Sequence, residues 1–409
     1  MIKIKNYTIE ILISILAIVL LFYSSNPVFY SDSVKYLENE SFDVPPLYPS
    51  IIMIMQSIFA TLNSVVMLQT FFMTFGIVFF TKTASKYFNL DIPTKILVAL
   101  FLFLPIIKFY NHILTEPFGY AFSLLFVSFV VRLIYNFNIP NLVWITIFVV
   151  VLLLTRNQFI FLYPVTLLLY LGMSISHSSK KTFALLIISF LSIILIHNSL
   201  SSLNKYKKKN SIENQTLFNS NSGAFNFIYI DAIYISTIQD IEIFKDDDLK
   251  KALAKIFKET HDQKALLEHY DGRGHYGYSF PIILIESHSL LKDLGIQKNT
   301  SRAKLKKEIS IKLIKANFKE YVKLLFKKFY DSTWLFIFVP FFMMLASFPV
   351  FLKQKSNFSL LIIFISTFSV ANHSIIYLFG RVQPRYFIYT DFILLIFFFI
   401  FFNIFLKKK

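Results

Sequence analysis

No cysteine occurs among the 409 residues, which excludes disulfides, thiol nucleophiles and thiolate metal sites and leaves the redox compartment open. Glycine (9) and proline (13) are scarce while Lys, Asn, Ile and Phe abound, a bias of A/T-rich coding more than of function. There is no internal repeat, Walker loop, GxGxxG, HExxH or Cys/His cluster, so ATP-driven transport and zinc proteolysis drop out. The net charge of +17 comes with no nucleic-acid-binding module, and nucleic acid is not expected as a partner. What the chain has instead is apolar bulk. With 56% hydrophobic residues and 50 Phe, it carries more apolar surface than a soluble core of this length can bury.

The fold class expected is an all-α polytopic membrane protein with about ten transmembrane helices. Apolar runs of spanning length lie at 8–24, 64–81, 94–110, 117–135, 139–155, 158–173, 182–199, 333–352, 358–378 and 387–406. The first has basic Lys3 and Lys5 before it but no small-x-small cleavage site after it, so it reads as a retained helix. The expected division is an N-terminal membrane core at 1–199, a mainly helical extracytoplasmic domain at 200–330 and a C-terminal membrane segment at 331–409.

Charge placement supports an even count. With the N-terminus inside, the cytoplasmic ends carry Lys3 and Lys5, Lys82 and Lys86, Arg132, Lys180 and Lys181, Lys353 and Lys355, and Lys407 to Lys409. Both termini are then cytoplasmic in a plasma or inner membrane. The loop at 25–50 and the turns at 111–116, 155–158 and 380–385 share the outer face with the 200–330 domain. After the first loop, Pro45 to Leu62 is apolar but broken by Pro45, Pro46 and Pro49, which fits an interfacial helix. Within the large domain, Lys205 to Asn221 reads as flexible, and Ser301 to Tyr330 as one basic amphipathic helix, either lying on anionic lipid or presenting a solvated charged face as an ordinary external helix.

The outer face collects the residues that could carry chemistry. Asp32, Glu38, Glu40 and Asp43 crowd a short loop beside lipid, where carboxylates are costly unless wet or functional. Glu116 opens a span, where a helix dipole also favours an acid. Arg156 lies between two spans, and Arg381 and Arg385 break the positive-inside pattern in a short turn. Arginine forks match phosphate oxygens. A carboxylate base beside phosphate-holding arginines suits removal of a group from a lipid phosphate. The sugar of a polyprenyl-phosphate sugar fits, since no nucleotide donor is expected outside the cytoplasm.

The ordered set YSDSVKYLE, PPLYPSIIMIM, LTEPFGYAFSLLF, TRNQFIFLYPVTLLLYL and QPRYFIYTDFILL resembles the multi-spanning GT-C glycosyltransferases, over about two-thirds of the chain. That family includes protein mannosyltransferases, the lipid A aminoarabinose transferase and O-antigen and exopolysaccharide transferases. The resemblance implies a catalytic acid at Asp32, an interfacial helix at Pro45 to Leu62 and a terminal outer Arg-Tyr pair at Arg385 and Tyr386. It implies a polyprenyl-phosphate sugar donor, with membrane lipid around it and a glycan, glycolipid or protein acceptor. Many members carry two adjacent acids in the first loop, whereas Ser33 follows Asp32 here. A divalent metal is therefore neither required nor excluded, with Asp43 or Glu116 as the alternatives for a second carboxylate. In this mechanism Asp32 is the general base, Arg156, Arg381 and Arg385 hold the donor phosphate, and Glu116 orients sugar or acceptor. A single displacement inverts the anomeric centre. The competing readings are an outer-leaflet polysaccharide polymerase and a flippase or transporter. A transporter would place charges at the bilayer midplane, where these spans have almost none.

Overall fold

The computed structural model describes residues 7–38, 44–212, 223–267, 299–379 and 386–407. The chain is an all-α polytopic membrane protein. Its helices are α1 (Thr8–Tyr23), α2 (Ser31–Glu38), α3 (Leu47–Phe59), α4 (Asn63–Phe88), α5 (Ile92–Phe109), α6 (Glu116–Tyr135), α7 (Ile139–Thr155) and α8 (Leu162–His177). They continue with α9 (Lys180–Ile212), α10 (Gly223–Ile235), α11 (Asp247–Leu267), α12 (Asn299–Ala316), α13 (Phe318–Gln354), α14 (Asn357–Phe379) and α15 (Ile388–Lys407). Among the described residues seven helical stretches are long and apolar enough to cross a membrane, and α1, α7 and the apolar part of α15 are shorter apolar helices. Every run read from hydropathy is thus helical.

Local sequence sets the helix ends. Asp91 accepts from the Thr94 N–H (3.0 Å) and starts α5, and Asn138 accepts from the Asn141 N–H (2.8 Å) and starts α7. Each is followed by a proline in the first turn, where no backbone donor is lost. Asn89 and Ser178 end α4 and α8 in the left-handed conformation, at φ of 50° and 46°. At 13 residues, α3 spans about 20 Å, too short for a hydrocarbon core of about 30 Å. It buries Tyr48, Pro49 and Ile52 and exposes Met53, Ile54, Ile58 and Phe59, as an interfacial helix would.

The chain packs as two units, one of Met1–Gln215, Val339–Asn372 and Pro384–Lys409, the other of Thr216–Phe338 and His373–Gln383. The first is organised around α6, whose apolar window is 89% buried and which packs on α4, α7 and α15. Gly76 lets α4 approach closely, since a Cβ there would stand 3.0 Å from the Ala121 carbonyl oxygen. Polar contacts sort by bundle end. One end pairs Glu10 with Lys82, Arg132 with Thr83, Asn403 with Thr94 and Lys355 with Ser178. The other joins residues 28–33, 110–116, 156–158 and 386–390. This is the grouping that the charge parity predicts.

The second unit has its own core, in which Tyr229, Ile230 and Ile233 of α10 meet Phe244, Leu253 and Phe257 and the Ile309 and Leu313 side chains of α12. Two expectations change here. The basic stretch is two helices, α12 and α13, interrupted at Asn317, and α12 turns Ile309 and Leu313 into this core. The Lys205 segment is helical as far as Ile212, because α9 continues beyond the apolar run that begins it; 213–222 lie outside the described residues.

Candidate active site

The end of the bundle that carries the predicted residues is tied together by backbone pairing. Val28 donates its N–H to the Asn111 carbonyl (2.8 Å) and accepts from the Ile113 N–H (3.0 Å), forming a parallel bridge between the first loop and the α5–α6 turn. From within α4, Gln69 Nε2 donates to the carbonyls of Tyr110 and His112, the latter at 3.0 Å. The Tyr30 ring meets that of His112 edge-on at 4.9 Å.

Ser33 is fully buried, and its hydroxyl donates to the Ile113 carbonyl (2.8 Å) while accepting from the Tyr30 N–H (2.9 Å). Where the resemblance leads one to look for a second acid, the chain therefore has an anchor for the loop. A carboxylate in that place would be buried facing a carbonyl oxygen. Ser33→Ala is expected to lower stability by about 1–3 kcal/mol, because the Ile113 carbonyl loses its buried donor; thermal unfolding of the purified protein checks this.

Asp32 lies in the first turn of α2, the helix that Ser33 pins. Positions 32 and 36 share a face of that helix. Tyr36 stacks edge-on against Tyr48 of α3 (5.2 Å, 84°), which in turn packs on Phe118 of α6 (5.7 Å). Burial pushes the Tyr48 hydroxyl well above the usual tyrosine range, and Tyr36 and Glu116 add to the effect. No partner among the described residues reaches that hydroxyl, and a buried donor left in this state calls for a ligand, water or ion to complete it.

Glu116 and Arg156, forty positions apart, meet as a buried ion pair at 2.9 Å, with side chains 1% and 16% exposed. Glu116 reaches this place because Pro117 fits the first turn of α6. Arg156 interrupts the helical path between α7 and a 3-10 turn (Asn157–Phe161), with φ −158° and ψ 136°. Its Nη1 also donates to the Tyr389 hydroxyl (2.9 Å) and to Thr115 Oγ1 (3.4 Å), and its guanidinium lies 4.3 Å from the centre of the Tyr386 ring. Burial opposes the charge on Arg156, but the Tyr389 hydroxyl and Glu116, with Tyr36 and Tyr386, outweigh it and hold the pKa well above the ordinary arginine value. Gly119, one turn after Glu116, makes room for this arrangement, since a Cβ there would stand 2.7 Å from the Tyr389 ring.

Tyr386 is held in turn. Gln158 Nε2 donates to its carbonyl (2.7 Å) and to Asn372 Oδ1 (2.6 Å), and Asn372 Nδ2 donates to Thr390 Oγ1 (3.0 Å). Of the predicted residues, then, Glu116, Arg156 and Tyr386 come together, with α2 and its Asp32 on the same end of the bundle. Asp43, Arg381 and Arg385 lie outside the described residues. Sequence reasoning missed Ser33, Tyr48, Gln69, Gln158, Asn372 and Tyr389. Gln69 and Asn372 carried a signal as amides inside apolar runs.

No group of three His, Cys, Asp or Glu side chains gathers among the described residues. At this site the described donors do not fit a divalent cation: residue 33 is a serine used as an anchor, and Glu116 is paired with a guanidinium. What the described side chains form is a charge-paired guanidinium whose orientation is fixed by Glu116, Tyr389, Thr115 and Tyr386.

No family model and no curated protein matches the chain. Among solved structures it is similar to the crystal structure of ArnT from Cupriavidus metallidurans bound to undecaprenyl phosphate, at 13% identity and a TM-score of 0.39, over 89% of this chain and 76% of that one. A likeness at that level assigns neither a family nor an activity to this chain.

Proposed function

We propose that the chain is a membrane glycosyltransferase that moves a sugar from a polyprenyl-phosphate donor to an envelope glycan, glycolipid or protein. The observation that supports this reading is Arg156, largely buried and fixed by Glu116 and Tyr389, within electrostatic reach of Tyr36 on the loop helix that bears Asp32. A polytopic fold puts such a site within reach of a lipid-linked substrate. The positive-inside charge pattern supports an extracytoplasmic site with both termini cytoplasmic.

In the proposed step Asp32 accepts the proton of the acceptor hydroxyl as its oxygen attacks the anomeric carbon. The bond from that carbon to the phosphate oxygen breaks, and polyprenyl phosphate leaves with the electron pair. Arg156, with Arg381 and Arg385, stabilises the charge that builds on the leaving phosphate. One displacement gives inversion. Glu116 acts in this scheme through Arg156, whose guanidinium it holds in place, and Tyr386 lies across the same guanidinium.

Membranes containing the full chain are to be given a radiolabelled sugar, either on polyprenyl phosphate or on a nucleotide. Label is expected to reach an envelope fraction from the lipid-linked donor alone, with release of polyprenyl phosphate. Equal transfer from the nucleotide donor, or none from either, would sink the proposal.

A further inference from the structure

The end of α6 away from Glu116 holds a second feature, which does not depend on the proposed function. Between α4, α6 and α7 runs a groove of about 410 Å³. Its walls are aromatic: Phe129 and Trp144 stack at 5.6 Å and 18°, Phe129 and Phe148 at 5.7 Å and 21°, and Phe75 and Phe79 of α4 complete the lining. Phe75 and Trp144 are nearly half exposed, at 46% and 45%, so the groove opens towards lipid.

Arg132 also lines this groove. Its guanidinium lies over the rings of Phe79 (4.2 Å) and Phe129 (5.4 Å), and its Nε donates to Thr83 Oγ1 (3.3 Å). No carboxylate among the described residues forms an ion pair with it. A half-buried guanidinium among aromatic rings has lost much of its water and gains no counter-ion among the described residues, and an anion bound beside it would offset that cost. Next to hydrocarbon, the anion at hand is a lipid phosphate.

We infer that the groove between α4, α6 and α7 binds one anionic glycerophospholipid, with an acyl chain along the aromatic walls and the phosphate on Arg132. A groove of this size is near the lower end of ligand pockets, roughly 300–1,000 Å³, and has room for one acyl chain but not for a long polyprenyl chain. It is also remote from the candidate active site. Arg132 follows Glu116 by sixteen positions in one helix, a rise of about 24 Å.

Full-length protein in detergent is to be offered equal amounts of phosphatidylglycerol and phosphatidylcholine, and the retained lipid weighed by native mass spectrometry. A phosphatidylglycerol with a photoreactive acyl chain then maps the site by peptide sequencing. Phosphatidylglycerol is expected to be retained about tenfold or more over phosphatidylcholine, with label on the peptides containing Phe75 and Trp144. Arg132→Gln is expected to erase that preference. Equal retention by the wild type, label outside the groove, an unaltered preference in R132Q, or displacement of the photolipid by polyprenyl phosphate would each overturn the inference. Should R132Q not fold, the preference and the label of the wild type decide it alone.

Discussion

Arg156→Gln is expected to destabilise the protein by about 3–5 kcal/mol, because it leaves the buried Glu116 carboxylate without its counter-ion. The same substitution removes the donors to Tyr389 and Thr115 and the cation that the Tyr386 ring faces, so three helices lose a common tie. Glu116→Gln strands the opposite charge and is expected to cost a similar amount. The double variant, with two neutral amides, should be more stable than either single one, since no buried charge is left unpaired. Arg156→Lys restores the charge without the fork and cannot serve Glu116 and Tyr389 from one planar group, so it is expected to fall between. Thermal unfolding of the wild type and these four variants in detergent measures this directly. If both single variants unfold with the wild type, the pair is a surface contact and the site loses its centre.

Why Arg156 is central could not be seen along the chain. TRNQF reads equally well as a snorkelling arginine between two spans, and its partner Tyr389 is over two hundred positions away. Long-range placement of this kind has no local signature. The bridge between Val28 and Ile113 and the clamp of Gln69 on the His112 carbonyl are illegible for the same reason.

The helices themselves were legible, because a bilayer demands some twenty apolar residues wherever a helix crosses and leaves that demand in the sequence. The short α3 was legible too, since Pro45, Pro46 and Pro49 break the apolar stretch that holds it and the next span follows too closely for it to cross. The basic stretch after Ser301 misled for a physical reason. Its interruption at Asn317 carries no glycine or proline, and the periodicity of α12 reports a buried face without saying whether protein or lipid covers it. At the site, the acids of the first loop were visible as acids, but Ser33 was visible only as a departure from a pattern. Its burial and its bond to the Ile113 carbonyl turn that departure into an anchor.

Asp32→Asn is expected to lower sugar transfer by roughly 10²–10⁴-fold, the range that a positioned general base supplies, with thermal unfolding unchanged. The isosteric amide keeps the size of the side chain but loses the negative charge and the ability to take up a proton, and turns one acceptor oxygen into a donor. The neighbouring Ser33→Ala separates chemistry from scaffolding. It releases the helix from Ile113, so it should lower stability and reduce transfer less than Asp32→Asn does. Glu38→Gln, at the far end of α2, is the control for the general acidity of the loop and is expected to transfer as the wild type. If Asp32→Asn and Glu38→Gln lower transfer alike, the loop contributes only its summed charge, as would suit attraction of a cationic acceptor. If Asp32→Asn transfers as well as the wild type while Arg156→Gln does not, the base lies elsewhere, and an acid from the 39–43 segment next to α2 takes its place. The base assignment stands only if loss of activity follows position 32 and loss of stability follows position 33.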